Sequence, residues 1–220
     1  MAGVTLDDLP AAVLARRWGV PQCHLAAVAA STLDQVHSLG AQGAPHGTVV
    51  VALEQTAGRG RDGREWHSPP GGVWLSVLLR ASGAAPGIVS IRAGLVLADV
   101  VDEMVGAPVA RLKWPNDVLL EDRKLAGVLC EGRWQGDALQ WLAVGLGVNV
   151  ANPLPLAVRR SAIALDEVVP GVRRLDVLDR LVPALARLPA HGERLTEPEC
   201  AAFASRDWLR DRVLRRPVAG

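Results

Sequence analysis

"GRGRDGREW", Gly58 to Trp66, packs three glycines and three arginines into nine residues and fits the spacing G-x-G-x-x-G through Gly58, Gly60 and Gly63. A dinucleotide loop of this spacing follows a strand and opens a helix, because the pyrophosphate sits on the free N–H groups of the helix N-terminus. The first condition is met, since "TVVVAL" (48–53) is a buried-strand pattern. The second fails, because the chain runs on into "HSPPGG" (67–72), whose prolines and glycines forbid a helix. A P-loop fails too, with no Gly-Lys-Ser/Thr after the glycines. The stretch is a loop between two strands, and a doubly wound parallel sheet is removed from consideration.

The neighbouring segments fill in the fold. "VWLSVLL" from Val73 reads as the strand after the loop, and "CHLAAVAA" (23–30) as a strand before it. Between them "STLDQVHSLGAQG" (31–43) reads as a helix, with Ser31 or Thr32 as N-cap, Asp34 in its first turn and Gly40 or Gly43 as its stop. "SIRAGLVLADVVDEMVG" (90–106) places Ile91, Leu95, Ala98, Val101 and Val105 on one helical face. "VARLKW", "DVLLE", "LAGVLCEGRW" and "LQWLAVGLGVNV" then read as strands joined by turns, and helices follow at about 175–188 and 197–213. Strands in hairpin order beside helices predict an α+β domain: a mixed, mainly antiparallel sheet with helices packed on one side. Residues 1–20, with a short amphipathic helix interrupted by Pro10, read as an appendage, and 21–213 as the domain proper.

Composition bounds the function. A chain of 220 residues, half of them apolar and with a formal net charge of +1, has the core of one full domain and no general electrostatic footprint for nucleic acid or an anionic membrane. Any anion chemistry must come from a local cluster. The three cysteines lack metal or disulfide spacing and read as buried reduced thiols; no apolar run is long enough to span a membrane, and Asp7 and Asp8 stand where a signal peptide would be basic. A cytoplasmic protein is expected.

Two clusters carry chemistry. In the arginine loop, alternating glycine lets the backbone approach an anion while guanidinium forks reach round it, and Trp66 supplies an apolar wall. Without an anion the like charges repel, so the loop is expected to be mobile and to order on ligand binding. In "RLKWPNDVLLEDRKLAGVLCE" (111–131), Lys113 and Lys124 flank a Trp-Pro-Asn-Asp turn. Lys124 opens an apolar strand, where it can meet a phosphate while Gly127 lets a ligand near the backbone.

"EQTAGRGRDGREW", "KWPNDVLL", "RKLAGVLCE" and "VGLGVNV", in that order, resemble the biotin protein ligases (biotin acetyl-CoA-carboxylase ligases) over roughly residues 23 to 152. The different arginine-glycine signature of the lipoate ligases is not found. The resemblance implies a biotin/lipoate ligase-like catalytic domain that uses ATP and Mg2+ to convert biotin to biotinyl-5'-AMP. It then transfers biotin to a lysine of a biotin carboxyl carrier protein. It implies that Lys124 bridges the biotin carboxyl and α-phosphate, that Arg61 and Arg64 serve the phosphates and the adenylate with Arg61 also retaining the intermediate, and that Asp117 guides the incoming amine. Biotin would be held by Ser31, Thr32, Gln55, the backbone near Gly58 and Arg59, Trp66 and Gly127. Asn116 and Asn149 would face the nucleotide, with magnesium ligands unassigned.

Departures from the family pattern carry expectations too. The N-terminus is too short for the winged-helix domain of some members, so no DNA binding is expected. A C-terminal β-barrel would begin at 214–220, where the chain stops. A homodimer through an edge strand stays open, as do a lipoate or octanoate ligase, a non-catalytic biotin-binding module and an RNA binder.

Overall fold

The computed structural model describes residues 3–80, 83–210 and 212; the expected tail at 214–220 lies outside them. A short hairpin of β1 (Thr5–Leu6) and β2 (Leu9–Pro10) leads into α1 (Ala11–Trp18) and β3 (Cys23–Ala26). Then come α2 (Thr32–Ala41), β4 (Val49–Ala52), the arginine loop with a single 3-10 turn at Arg61–Gly63, β5 (Val73–Leu79) and α3 (Pro86–Val105). The rest is β6 (Arg111–Lys113), β7 (Asp117–Leu120), β8 (Arg123–Gln135), β9 (Ala138–Val148), α4 (Arg174–Ala186) and α5 (Glu197–Arg206). Seven strands form one sheet in the order β3-β4-β5-β9-β8-β7-β6, parallel only between β3 and β4 and antiparallel elsewhere.

Central position explains the sequence of β5. Each of its residues is buried, so it reads as a continuous apolar run rather than an alternation. Val73, Leu75, Val77 and Leu79 join the main core with α1, α3 and α4, whereas Leu78 joins Leu33, Val36 and Trp141 on the other face. Most helices thus lie on one side, as expected, and α2 stands alone across the sheet.

Three boundaries differ from the sequence reading. α3 begins at Pro86, because proline at the first helical position lacks only an N–H that would have no partner there. α5 ends at Arg206, since Asp207 turns extended and Trp208 N donates to Leu112 O at 2.9 Å, covering the open edge of β6. The segment expected as an appendage buries Leu6, Leu14 and Trp18 in the main core, and Trp18 Nε1 donates to Asp179 of α4 at 2.8 Å. It is packed as part of the domain.

Of the cysteines, Cys23 and Cys130 are desolvated, which pushes both thiols up to about 12. Cys200 corrects the expectation: it lies exposed on α5.

Candidate active site

A cavity of about 400 Å3 opens on the α2 face of the sheet. Its floor is two glycines paired across strands, Gly127 of β8 and Gly147 of β9. The Trp66 ring lies on them so closely that a Cβ at Gly147 would stand 2.3 Å from Trp66 Nε1, and one at Gly127 3.1 Å from its ring. Glycine is required here for close approach of the ring.

A row of hydroxyls and an amide crosses the inner wall. Thr32 N and Thr32 Oγ1 both donate to Gln55 Oε1, at 2.8 and 3.1 Å. Because Thr32 spends its proton there, Ser76 Oγ must be the donor in their 2.8 Å contact. Gln55 Nε2 then donates to Ser68 Oγ at 2.9 Å, and Ser68 Oγ to Trp66 O at 3.0 Å. This row ties the start of α2 to both ends of the arginine loop. Ser31, the N-cap of α2, makes no side-chain cap bond, is 2 % exposed and lines the cavity. Ser76 and Ser68 escaped the sequence reading, yet Ser76 is the lone polar residue of "VWLSVLL". A buried hydroxyl inside an apolar strand needs a partner, and that was the available signal.

Lys124 reaches the cavity through a bulge. One step on β7, from Val118 to Leu119, faces two on β8, from Ala126 to Lys124, so Leu125 is the extra residue. Leu125, Ala126 and Val128 belong to the core side. Strict alternation would have sent Lys124 there as well; the bulge turns it to the side of Gly127 instead. Its ammonium lies 4.9 Å from the centre of the Trp66 ring and 2.7 Å from Asp117 Oδ1. Asn116 is fixed by Nδ2 donating to Val128 O at 3.1 Å.

Cations outnumber carboxylates around the opening: Arg59, Arg61, Arg64, Lys113 and Lys124 against Asp62, Glu65 and Asp117. The loop arginines are not left to repel one another. Arg59 Nη1 donates to Asp34 at 2.7 Å and Nη2 to Glu131 at 3.1 Å, and Arg61 lies 3.4 Å from Asp62. Arg64 and Lys113 have no carboxylate partner among the described residues. Lys113 instead sits over the Trp208 ring, 4.9 Å from its centre.

The structure gathers Ser31, Thr32, Gln55, Arg59, Arg61, Arg64, Trp66, Asn116, Asp117, Lys124 and Gly127 around this cavity. Two expected residues stand off it. Gly58 is wedged in the base of the loop, where a Cβ would meet Trp66 O at 2.4 Å. Asn149 is buried at the end of β9, its Oδ1 accepting from Asn152 Nδ2 at 3.2 Å.

An α+β domain with a glycine-floored cavity on one sheet face, ringed by cations, is the architecture of an anion-binding small-molecule site. Residues 25–149 match the sequence profile of the biotin/lipoate A/B protein ligase family, and the chain belongs to that family. Biotin--[acetyl-CoA-carboxylase] ligase of Paracoccus denitrificans is 43% identical over 150 residues, covering 64% of this chain and 62% of that one. The bifunctional ligase/repressor BirA of Bacillus subtilis is 36% identical over 147 residues, covering 64% and 45%. Among solved structures, the biotin protein ligase of Aquifex aeolicus in complex with biotin and ATP superposes with a TM-score of 0.65 at 30% identity, over 76% of this chain and 69% of that one. The chain spans about half the length of the curated relatives it matches. No helix among the described residues is long and apolar enough to cross a membrane.

Proposed function

We propose that this domain activates biotin with ATP to biotinyl-5'-AMP and passes the biotinyl group to a lysine of a biotin carboxyl carrier protein. The observation that carries the reading is the union, in one cavity, of a Trp66-walled slot on glycine, an amide-and-hydroxyl row and cations at the opening. The slot suits an apolar bicyclic ring system, and Ser31, Thr32 and Gln55, which line the cavity beside it, offer hydrogen-bonding groups to a urea. An analogue lacking that urea leaves these groups unpaired, which is how such a site discriminates. The names of the relatives support biotin over lipoate.

In the first step a biotin carboxylate oxygen attacks the α-phosphorus of ATP and the bond to the β-phosphate oxygen breaks, releasing pyrophosphate. Two anions must meet, so fixed cations at the opening lower the barrier. Lys124 is the nearest to the slot, and Arg61 and Arg64 face the phosphates. Among the described residues no three His, Cys, Asp or Glu side chains cluster to hold a metal. Magnesium arriving with ATP would be held mainly by phosphate oxygens and water, with one or two carboxylates of the opening. The ion would neutralise phosphate charge.

In the second step the carrier amine attacks the acyl carbon, the bond to the phosphate oxygen breaks, and AMP leaves. Only about one lysine in two thousand is neutral near pH 7, so an acceptor for the amine proton helps. Asp117 is paired to Lys124 at 2.7 Å in the free protein. When Lys124 turns to the adenylate phosphate, Asp117 is released to take that proton, so the two steps share one ion pair.

The test is exchange of labelled pyrophosphate into ATP with biotin, lipoate or octanoate. Exchange with biotin alone is expected. Exchange with lipoate or octanoate instead would reassign the substrate, and biotin binding without exchange would make the domain a binding module.

A further inference from the structure

We propose that Asp34 and Glu131 are positioning residues that hold the arginine loop over the cavity through Arg59. The inference rests on the functional reading above for its effect on catalysis, and on geometry alone for its effect on the loop. The Arg59 fork spans two elements, with Nη1 on Asp34 of α2 at 2.7 Å and Nη2 on Glu131 of β8 at 3.1 Å. Every other hydrogen bond that residues 59 to 65 make, among the described residues, stays within the loop: Gly60 N to Arg64 O, Arg64 N to Arg61 O and the Arg59–Glu65 bridge. The tip that carries Arg61 and Arg64 is thus tied to the body through one guanidinium.

The anchor is itself oriented. Trp141 Nε1 donates to His37 Nδ1 at 3.1 Å; since indole only donates, His37 Nδ1 is the acceptor and Nε2 carries the proton that faces Glu131 Oε2 at 3.1 Å. The Trp141 ring is seated against Gly40, where a Cβ would meet it at 2.7 Å, and Arg80 lies 5.5 Å from the ring centre. Glu131 therefore presents an oriented carboxylate to Arg59. With two carboxylates on it, the Arg59 charge is already more than balanced and is not free for an anion; its part is to place the backbone and the two arginines that follow. The side chains of Arg59, Asp34 and Glu131 are 40%, 54% and 34% exposed, so these pairs govern local opening more than global folding.

The experiment uses the full chain with Asp34→Asn, Glu131→Gln and the double variant, each alone and combined with Arg59→Ala. Three measurements are made: tryptic cleavage after Arg61 and Arg64 in the ligand-free protein, the fraction of biotinyl-AMP released rather than transferred, and KM and kcat for biotin in pyrophosphate exchange. Each single neutralisation is expected to speed cleavage about threefold and the pair about tenfold, in keeping with half-exposed ion pairs. Adenylate release should rise in parallel, with a higher KM for biotin in exchange and an unchanged kcat. On the Arg59→Ala background the acidic substitutions should have no further effect. Equal cleavage in all variants, or effects that persist without Arg59, would overturn the clamp. If the unsubstituted protein fails to exchange pyrophosphate, the functional reading falls while the cleavage comparison still decides the clamp.

Discussion

The two faces of the sheet are built from the same strands by opposite rules. Toward α3 and α4, β9 presents Leu142, Val144, Leu146 and Val148, all at most 3 % exposed in one continuous core. Toward the cavity the same strand presents Gly145 and Gly147, overlain by Leu33 and Trp66. The packed face stabilises by burying apolar area; on the other, beside the smaller core under α2, the cavity floor gives up side chains so that a ring and a ligand can approach the backbone. Stability and chemistry are thus separated by a single residue step along one strand.

Substitutions on each face test that separation. The largest effect is expected from Lys124→Ala, which removes the cation nearest the reacting carboxylate: exchange should fall about 100- to 1000-fold. The melting temperature should hardly move, because its pair with Asp117 is partly exposed, at 34% and 22%. A melting shift as large as that of a core variant would break the comparison. Leu142→Ala, fully buried on the packed face, should do the reverse, costing about 3 kcal/mol in denaturant titration while exchange per folded molecule is retained. A smaller effect concerns Arg92 of α3, a guanidinium 5 % exposed that bonds Pro189 O, His191 O and Glu199. The Arg92 hydrogen bond holds the Glu199 carboxyl below its ordinary 4.5. A carboxyl depressed in the folded state contributes stability above its unfolded value and loses it as pH falls through the folded one. Thermal melts should therefore decline below about pH 4.5 more steeply in the native chain than in Glu199→Gln; matching profiles would remove Glu199 from the acid response.

Much of this was legible in the chain. The prolines and glycines after Trp66 excluded the dinucleotide fold, and the run "VWLSVLL" marked the central strand to the residue. The four motifs located nearly all the side chains that meet at the cavity. What stayed hidden depends on pairing. Nothing in "RKLAGVLCE" announces that Leu125 is a bulge, because the extra residue exists only relative to β7. Arg59 read as a free cation because Asp34 and Glu131 are 25 and 72 residues away along the chain. Asn149, two residues past Gly147 in "VGLGVNV", was carried to the cavity by its motif, whereas the end of β9 buries it against Asn152.

The N-terminal segment has a consequence for synthesis. Trp18 bonds Asp179, 161 residues further on, and Leu14 and Trp18 share a core with α4. At roughly 5 to 20 residues per second, about 8 to 30 s separate the appearance of these apolar groups from that of the surface that covers them. The first part of the domain to leave the ribosome is among the last to be shielded. Until α4 is made, it is the stretch a chaperone would find exposed.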